Sequence, residues 1–175
     1  PEDLTELLNL YLSEMTEIIF SHEGTVDKYI GDAIVAFWNA PLDQPNHAQR
    51  ACLAALDCQR RLAELREKVR QKSGRELAMR IGLNTGPMVV GNMGSRERFD
   101  YSVLGDAVNL GARLEGACKQ YGIWILAGEA TYREAQGDVE AREVDLIRVV
   151  GKKEPVRIFE LLAAKGQLSS ERRQE

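Results

Sequence analysis

The feature that most constrains the fold is a pair of short apolar runs on either side of Gly31-Asp32. The stretch reads Asp27-Lys28-Tyr29-Ile30-Gly31-Asp32-Ala33-Ile34-Val35-Ala36-Phe37-Trp38. β-Branched and aromatic residues favour strands, and Gly tolerates the positive φ of a tight turn, so the pattern predicts a β-hairpin. A two-residue turn brings Lys28 and Asp32 to the same rim of that hairpin. A surface turn that carries charge would explain the pair equally well, and the hairpin alone does not decide between the two.

Composition predicts a single domain. The charge of the chain gives no electrostatic attraction to nucleic acid or to an anionic membrane. It has 175 residues, 44% of them hydrophobic, and a net charge of only −4, so we expect one domain and no nucleic-acid partner. The longest apolar run, 33–38, is far too short to span a bilayer, and no signal-peptide pattern opens the chain. We therefore expect a cytoplasmic domain without membrane contact from this segment, while a membrane anchor elsewhere in the parent protein stays open.

The cysteines and histidines give no sign of a metal or disulfide framework. There are three cysteines, Cys52, Cys58 and Cys118, and no CxxC spacing, a pattern typical of reduced thiols. His22 and His47 stand alone in the sequence, and we interpret both as surface residues near helix ends.

Periodicity and turn signals predict an α+β fold with helices laid on one mostly antiparallel sheet. The predicted helices are 2–22, one that starts after the N-cap Asn46 and ends at Gly74, one with Asp106 as its N-cap, and 129–135. The predicted strands form a first hairpin over 25–38, a second hairpin over 77–91 around Gly86-Pro87, and single strands at 123–126, 144–150 and 156–162. A flexible charged loop over 92–98 and a polar tail over 163–175 complete the prediction.

The helix after Asp106 carries a candidate pair of functional side chains. Asn109 and Arg113 are four residues apart in the sequence, so they lie on one face about one turn from each other. A solvated surface helix with an ordinary arginine is the alternative interpretation of this pair.

Three motifs together resemble the class III nucleotidyl cyclase catalytic domain. They are Lys28-Tyr29-Ile30-Gly31-Asp32, Gly82-Leu83-Asn84-Thr85-Gly86, and Ser102-Val103-Leu104-Gly105-Asp106-Ala107-Val108-Asn109-Leu110-Gly111-Ala112-Arg113. Their order matches the family, and the resemblance covers 1–162. It implies a ferredoxin-like, palm-like antiparallel sheet with helices packed on it, in homodimers whose two active sites lie at the interface. It also implies the cyclisation of a nucleoside triphosphate to a 3′,5′-cyclic monophosphate and pyrophosphate.

The resemblance assigns roles to individual residues. Asp32 matches an aspartate that holds Mg²⁺ or Mn²⁺, which would activate the ribose 3′-hydroxyl and neutralise the triphosphate. Arg113 matches the guanidinium that stabilises charge on the phosphate oxygens. Asn109 matches the amide that orients the ribose.

Hydrogen-bonding chemistry favours ATP as the substrate. Lys28 matches the purine-binding lysine, and because an ammonium can only donate, it suits the acceptor at adenine N1 and opposes the N1–H of guanine. Ser102 also matches a purine-binding position. Its hydroxyl accepts from the adenine amine but can donate to guanine O6, so Ser102 discriminates weakly.

The chain departs from the family pattern at two places. The family's first metal aspartate lies on a strand before the first helix, and no residue here matches it: Asp3 opens the helix, and alternation along a strand puts Asp27 on the face opposite Lys28. We therefore expect the chain as given to lack the first strand, bind ATP weakly and cyclise it slowly. The family's phosphate-binding turn corresponds to Val150-Gly151-Lys152-Lys153, in which Lys152 is the candidate ligand for the terminal phosphates.

Three functions remain open from the sequence. The first is a homodimeric adenylyl cyclase domain, the output module of a larger signalling protein with regulatory domains. The second is a catalytically silent cyclase-like module that dimerises or senses nucleotides. The third is a guanylyl cyclase.

Overall fold

The computed structural model describes residues 2–149 and 151–168. In chain order, its elements are α1 Glu2–Ser21, β1 Thr25–Ile30, β2 Ala33–Phe37, α2 His47–Ser73, β3 Ile81–Leu83, β4 Val89–Gly94, β5 Phe99–Leu104, α3 Asp106–Tyr121, β6 Ile125–Gly128, α4 Glu129–Ala135, β7 Val139–Ile147 and β8 Val156–Ala164. The α+β prediction is confirmed, and all four predicted helices are present close to their expected bounds.

The first hairpin forms as the sequence predicts. Strands β1 and β2 pair antiparallel up to Ile30 opposite Ala33, and Gly31 makes the turn with φ +62°. A β-branched or bulky residue would be strained at that angle, which explains why Gly precedes Asp32.

Helices α1 and α2 cover this hairpin with a shared apolar cluster. Its buried members are Met15, Cys58, Leu62 and Leu65, and Ile34 of β2 and Ile81 of β3 pack against them. Gly74 ends α2 at φ +68°, where its N–H donates to the carbonyl oxygen of Arg70. The two strands that flank the cluster belong to different sheets, so the two helices hold those sheets together.

The predicted second hairpin over 77–91 is wrong. Strand β3 pairs instead with β6, in parallel, with Ile81 opposite Ile125. The real second hairpin is formed by β4 and β5, from Val89 opposite Leu104 to Gly94 opposite Phe99, and much of the predicted loop over 92–98 belongs to it. Pattern alone could not separate these arrangements, because a three-residue apolar run carries no information about its partner strand.

The described strands form three sheets and not one. The largest has the order β3-β6-β8-β7, and the β1–β2 and β4–β5 hairpins are the other two. The chain turns back antiparallel from β7 to β8, and Ala163 and Ala164 still pair with β7. The strand therefore runs two residues into the tail predicted for 163–175, whose last residues, 169–175, lie outside the described part of the chain.

The cysteines are free, as predicted from their spacing. All three are unpaired and buried, and burial raises the pKa of the Cys52 and Cys58 thiols to about 12. Both thiols therefore stay protonated and poorly nucleophilic near neutral pH.

None of the helices in the described residues combines the length and the apolar character needed to cross a membrane.

Candidate active site

Helix α3, which carries Asn109 and Arg113, packs against β3 at unusually short range. A Cβ atom added to Gly82 would lie 2.1 Å from the carbonyl oxygen of Gly111 and 2.4 Å from the amide nitrogen of Glu115. Both are backbone atoms of α3, which cannot move without moving the helix. Only glycine at residue 82 permits this approach, and the approach fixes the distance of α3 from the sheet.

The rest of the Gly-Leu-Asn-Thr-Gly motif fixes the first turn of α3. The side-chain amide of Asn84 donates to the carbonyl oxygen of Ala107 at 2.9 Å. A Cβ atom at Gly86 would lie 2.9 Å from the Cβ of Ala107. The motif thus sets the position of α3 relative to the sheet.

The start of α3 differs from the prediction by one residue. Gly105, at φ +147°, is the N-cap, and Asp106 is the first helical residue with no side-chain capping hydrogen bond. A carboxylate in the first turn still interacts favourably with the positive end of the helix dipole.

Asn109 and Arg113 occupy the open face of α3. Both are exposed, whereas Leu110 and Leu114 on the other face are buried at 2% and 0% exposure. Neither functional side chain forms a hydrogen bond or ion pair with another residue in 2–149 or 151–168. The amide and the guanidinium are therefore available to a ligand.

Lys28 and Asp32 extend from the β1–β2 hairpin as predicted. The Lys28 side chain is 49% exposed, and Asp32 lies exposed at the tip. Burial raises the pKa of Tyr11 on α1 to about 12, with further contributions from Cys58 and from the negative charge of Asp32.

A β-bulge overturns the expectation for Asp27. The pairing shifts between Val26, opposite Ala36, and Lys28, opposite Val35, so that Asp27 is the extra residue. The Asp27 Oδ2 atom lies 3.6 Å from Lys28 Nζ. The two side chains meet, whereas strict alternation would have placed them on opposite faces.

Ser102 lies on β5, which packs beside β1. It is buried at 8% exposure and pairs with Gly91 in the β4–β5 hairpin. Contact between β1 and β5 and the ring pair Phe37–Tyr101, with centroids 5.9 Å apart, join the two hairpins. The strands that carry the two predicted purine ligands are therefore neighbours.

Lys152 lies in the connection between β7 and β8. It is exposed, and its amide donates to the carbonyl oxygen of Val149 at 3.0 Å. Val149 packs against the apolar cluster under α3, so this connection begins beside the catalytic helix. Val150 lies outside the described residues.

One carboxylate within the described residues, that of Asp32, is the candidate metal ligand. No group of three or more His, Cys, Asp or Glu side chains there could hold a metal ion. Mg²⁺ keeps several waters and often uses one or two carboxylates together with substrate phosphates. Asp32, exposed and with no ion pair in the described chain, fits the part of one such ligand.

The fold and this arrangement of residues define a nucleotidyl cyclase catalytic domain. The family model described as "Adenylate and Guanylate cyclase catalytic domain" matches residues 1–162, and the chain belongs to that family.

The chain is similar to named adenylate cyclases and to solved structures of both adenylyl and guanylyl cyclases. Adenylate cyclase 1 of Rhizobium meliloti is 34% identical over 162 residues, which cover 93% of this chain and 24% of that protein. The crystal structure of the adenylyl cyclase CyaB from P. aeruginosa has a TM-score of 0.85 at 33% identity, over 97% of this chain and 87% of the other. The guanylyl cyclase Cya2 has a TM-score of 0.81 at 35% identity, over 97% and 85%. The chain spans about a quarter of the Rhizobium protein.

Sequence reasoning missed two kinds of residue in this site. The packing role of Gly82 and the anchoring role of Asn84 depend on a helix that follows them by more than twenty residues in the sequence. The contact of Asp27 with Lys28 depends on a bulge. For the Asp27–Lys28 contact, the sequence offers one signal, which is that an aspartate directly precedes the proposed purine-binding lysine.

Proposed function

We propose that this chain is the catalytic domain of an adenylyl cyclase, which converts ATP to 3′,5′-cyclic AMP and pyrophosphate at sites shared across a homodimer. The observation that carries the proposal is the open face of α3, where Asn109 and Arg113 are exposed and free of partners in the described chain. A structural arginine would pair with a neighbouring carboxylate, as Arg61 does with Glu14 at 2.6 Å.

The proposed reaction forms one phosphorus–oxygen bond and breaks another. The ribose 3′-oxygen attacks the α-phosphorus and its hydroxyl proton passes to solvent. The bond from the α-phosphorus to the bridging oxygen breaks, and that oxygen leaves with pyrophosphate. Arg113 meets the charge that grows on the phosphate oxygens with paired donors, and Asn109 orients the ribose. Lys152 is the candidate ligand for the terminal phosphates.

The metal site would supply charge neutralisation for the triphosphate and acidity for the 3′-hydroxyl. Asp32 is its protein ligand in this chain, with Mg²⁺ or Mn²⁺ as the ion. Among residues 2–149 and 151–168, β2 pairs only with β1 and β3 only with β6, so both strands keep an open edge. We propose that a second carboxylate completes this metal site, and an open strand edge is a place where a strand that carries it would pair.

Purine selection would rest mainly on Lys28. Its half-exposed ammonium can donate to adenine N1, and it has no acceptor for the N1–H of guanine. Ser102 on the neighbouring strand provides a hydroxyl that can either donate or accept a hydrogen bond. The assignment of ATP therefore depends on the one donor-only group.

Two other functions have specific support and different signatures. A silent dimerisation or nucleotide-sensing module is supported by the single metal carboxylate, and it would bind nucleotide without turnover. A guanylyl cyclase is supported by the likeness to Cya2, and it would turn over GTP in preference to ATP. The larger signalling protein with regulatory domains is part of the same proposal.

Exchange of Lys28 for glutamate tests the substrate. Lys28→Glu should shift the ratio of kcat/KM for ATP to that for GTP towards GTP by tenfold or more, because a hydrogen bond to a charged group contributes roughly 1.5–3 kcal/mol. The measurement is the rate of cyclic nucleotide formation from each substrate.

The control is Lys72→Glu, the same charge change at an exposed site on α2, which should leave the ratio unchanged. Comparable turnover of ATP and GTP by the unmodified protein would contradict the assignment of ATP.

A further inference from the structure

A buried carboxylate, Asp27, lies beside the proposed purine ligand Lys28. Its side chain is only 3% exposed, whereas its neighbour Lys28 is 49% exposed. The Oδ2 atom is buried and has no hydrogen-bond partner within the described residues. Its nearest cation, Lys28 Nζ, lies at 3.6 Å, beyond the range of about 2.7–2.9 Å typical of a charge-assisted hydrogen bond.

This arrangement is costly unless it is completed by a ligand. A buried ionised carboxylate that lacks hydrogen bonds loses its hydration without replacement. By contrast, Glu14 already accepts a hydrogen bond from the Arg61 guanidinium at 2.6 Å. Asp27 is the buried side chain with an unpartnered polar atom in the described chain, and the bulge in β1 is what directs it to Lys28.

We propose that Asp27 is a positioning residue for purine recognition: it holds the Lys28 ammonium in place so that one N–H can donate to adenine N1. This inference rests on the proposed function of Lys28. A free lysine side chain samples many rotamers. An anion that already holds its ammonium reduces the side-chain entropy that is lost when the purine binds.

Purine binding strengthens the same pair. When the base covers Lys28, water leaves and the attraction between Nζ and Oδ2 rises as the local dielectric constant falls. Lys28 has three donors, so one satisfies Asp27 while another meets the base.

Metal binding is a poorer explanation of the unpartnered oxygen. A dication bound at Oδ2 would lie beside the Lys28 ammonium, and like charges at that distance repel. The described residues also contain no cluster of metal-ligating side chains that includes Asp27.

The test uses Asp27→Asn, which removes the charge and keeps the shape. It is made in the natural chain, with any residues that precede Pro1 included. We expect KM for ATP to rise about tenfold with little change in kcat, and the ATP preference over GTP to fall by a similar factor, as for the loss of one charge-assisted hydrogen bond. The melting temperature should stay the same or rise, because a buried carboxylate that lacks a hydrogen bond is replaced by a neutral amide, while the half-exposed Lys28 ammonium keeps its contact with water.

The decisive readout is 1-deaza-ATP, in which a C–H replaces the adenine N1 acceptor. If Asp27 acts through the contact of Lys28 with N1, Asp27→Asn should cost about tenfold on ATP and almost nothing on 1-deaza-ATP. Glu143→Gln is the matched control, since Glu143 lies at the same 3.6 Å from Arg157 on an exposed part of the sheet. Glu143→Gln should leave KM unchanged for both ATP and 1-deaza-ATP.

The contrary outcomes have different meanings. An equal loss on ATP and 1-deaza-ATP, or a lower melting temperature with unchanged selectivity, would overturn the role of Asp27 as a purine-positioning residue. If Lys28→Glu shifts selectivity while Asp27→Asn does not, only this inference fails. If the unmodified protein does not prefer ATP, the proposed function fails and this inference falls with it.

Discussion

Mixing the variants Asp32→Ala and Arg113→Ala should restore cyclase activity that each variant alone lacks. In a shared-site homodimer, each active site takes its metal aspartate from one subunit and its α3 residues from the other. Each variant on its own therefore carries one defect in both sites. We expect each to lose at least about a hundredfold in kcat, as for other groups that stabilise transition-state charge.

The mixed dimer separates the two defects. One of its sites receives both substitutions and the other receives neither, because the two-fold axis presents each surface twice. Random exchange gives about half mixed dimers, each with one intact site out of two, so activity should approach about a quarter of the unmodified level. The experiment uses chains that include any natural residues preceding Pro1, and it follows cyclic AMP formation after subunit exchange.

A second mixture is the control for this experiment. Asn109→Ala and Arg113→Ala both alter α3, so every site of their mixed dimer keeps one defect and activity should not return. The shared-site model is wrong if the first mixture stays inactive while exchange of subunits is demonstrated. It is equally wrong if both mixtures recover activity, since recovery would then not depend on which surface each residue occupies.

The sequence predicted the local elements well and the strand partners poorly. Helix α1, the hairpin at Gly31 and helix α4 depend on neighbouring residues, such as a glycine that permits positive φ. The pairing of Ile81 with Ile125 does not, because it depends on the energetics of a whole sheet. A run as short as β3 fits a hairpin as well as it fits a parallel pair.

The same division holds for the candidate site. Spacing placed Lys28 and Asp32 on one rim and Asn109 and Arg113 on one helix face, and the resemblance to the cyclase family assigned their roles. The structure leaves all four exposed. Asp27 was misjudged, because the alternation rule assumes a regular strand and the bulge breaks it. A bulge is produced by the competition between pairing registers, which the residues of one strand do not reveal.

Substitution of Gly82 by alanine is expected to destabilise the fold and to displace α3 from the sheet. The added Cβ would lie 2.1 Å and 2.4 Å from backbone atoms of α3, far inside van der Waals contact, and a side-chain rotation cannot relieve the clash. The helix must move away from β3. Overpacking of this kind typically costs roughly 1–3 kcal/mol, and each kcal/mol lowers the melting temperature by about 2–4 °C in a domain of this size.

The catalytic loss should exceed what the stability loss explains. Asn109 and Arg113 move with α3, and a displacement of about 1 Å in a positioning element can cost about a hundredfold in rate. We therefore expect kcat for cyclic AMP formation to fall by about that factor at a temperature where Gly82→Ala is still folded. Circular dichroism establishes the folded fraction, and initial rates at saturating ATP give kcat.

Gly116→Ala supplies the opposite result with the same chemical change. Gly116 lies within α3, and a Cβ atom there would have no atom within 4 Å. Alanine is the better helix former by about 1 kcal/mol, so this variant should melt higher and keep its activity. If Gly82→Ala matched Gly116→Ala in both melting temperature and kcat, α3 would not be held by close backbone packing on β3. The position of Asn109 and Arg113 would then have to be set by other contacts of the helix.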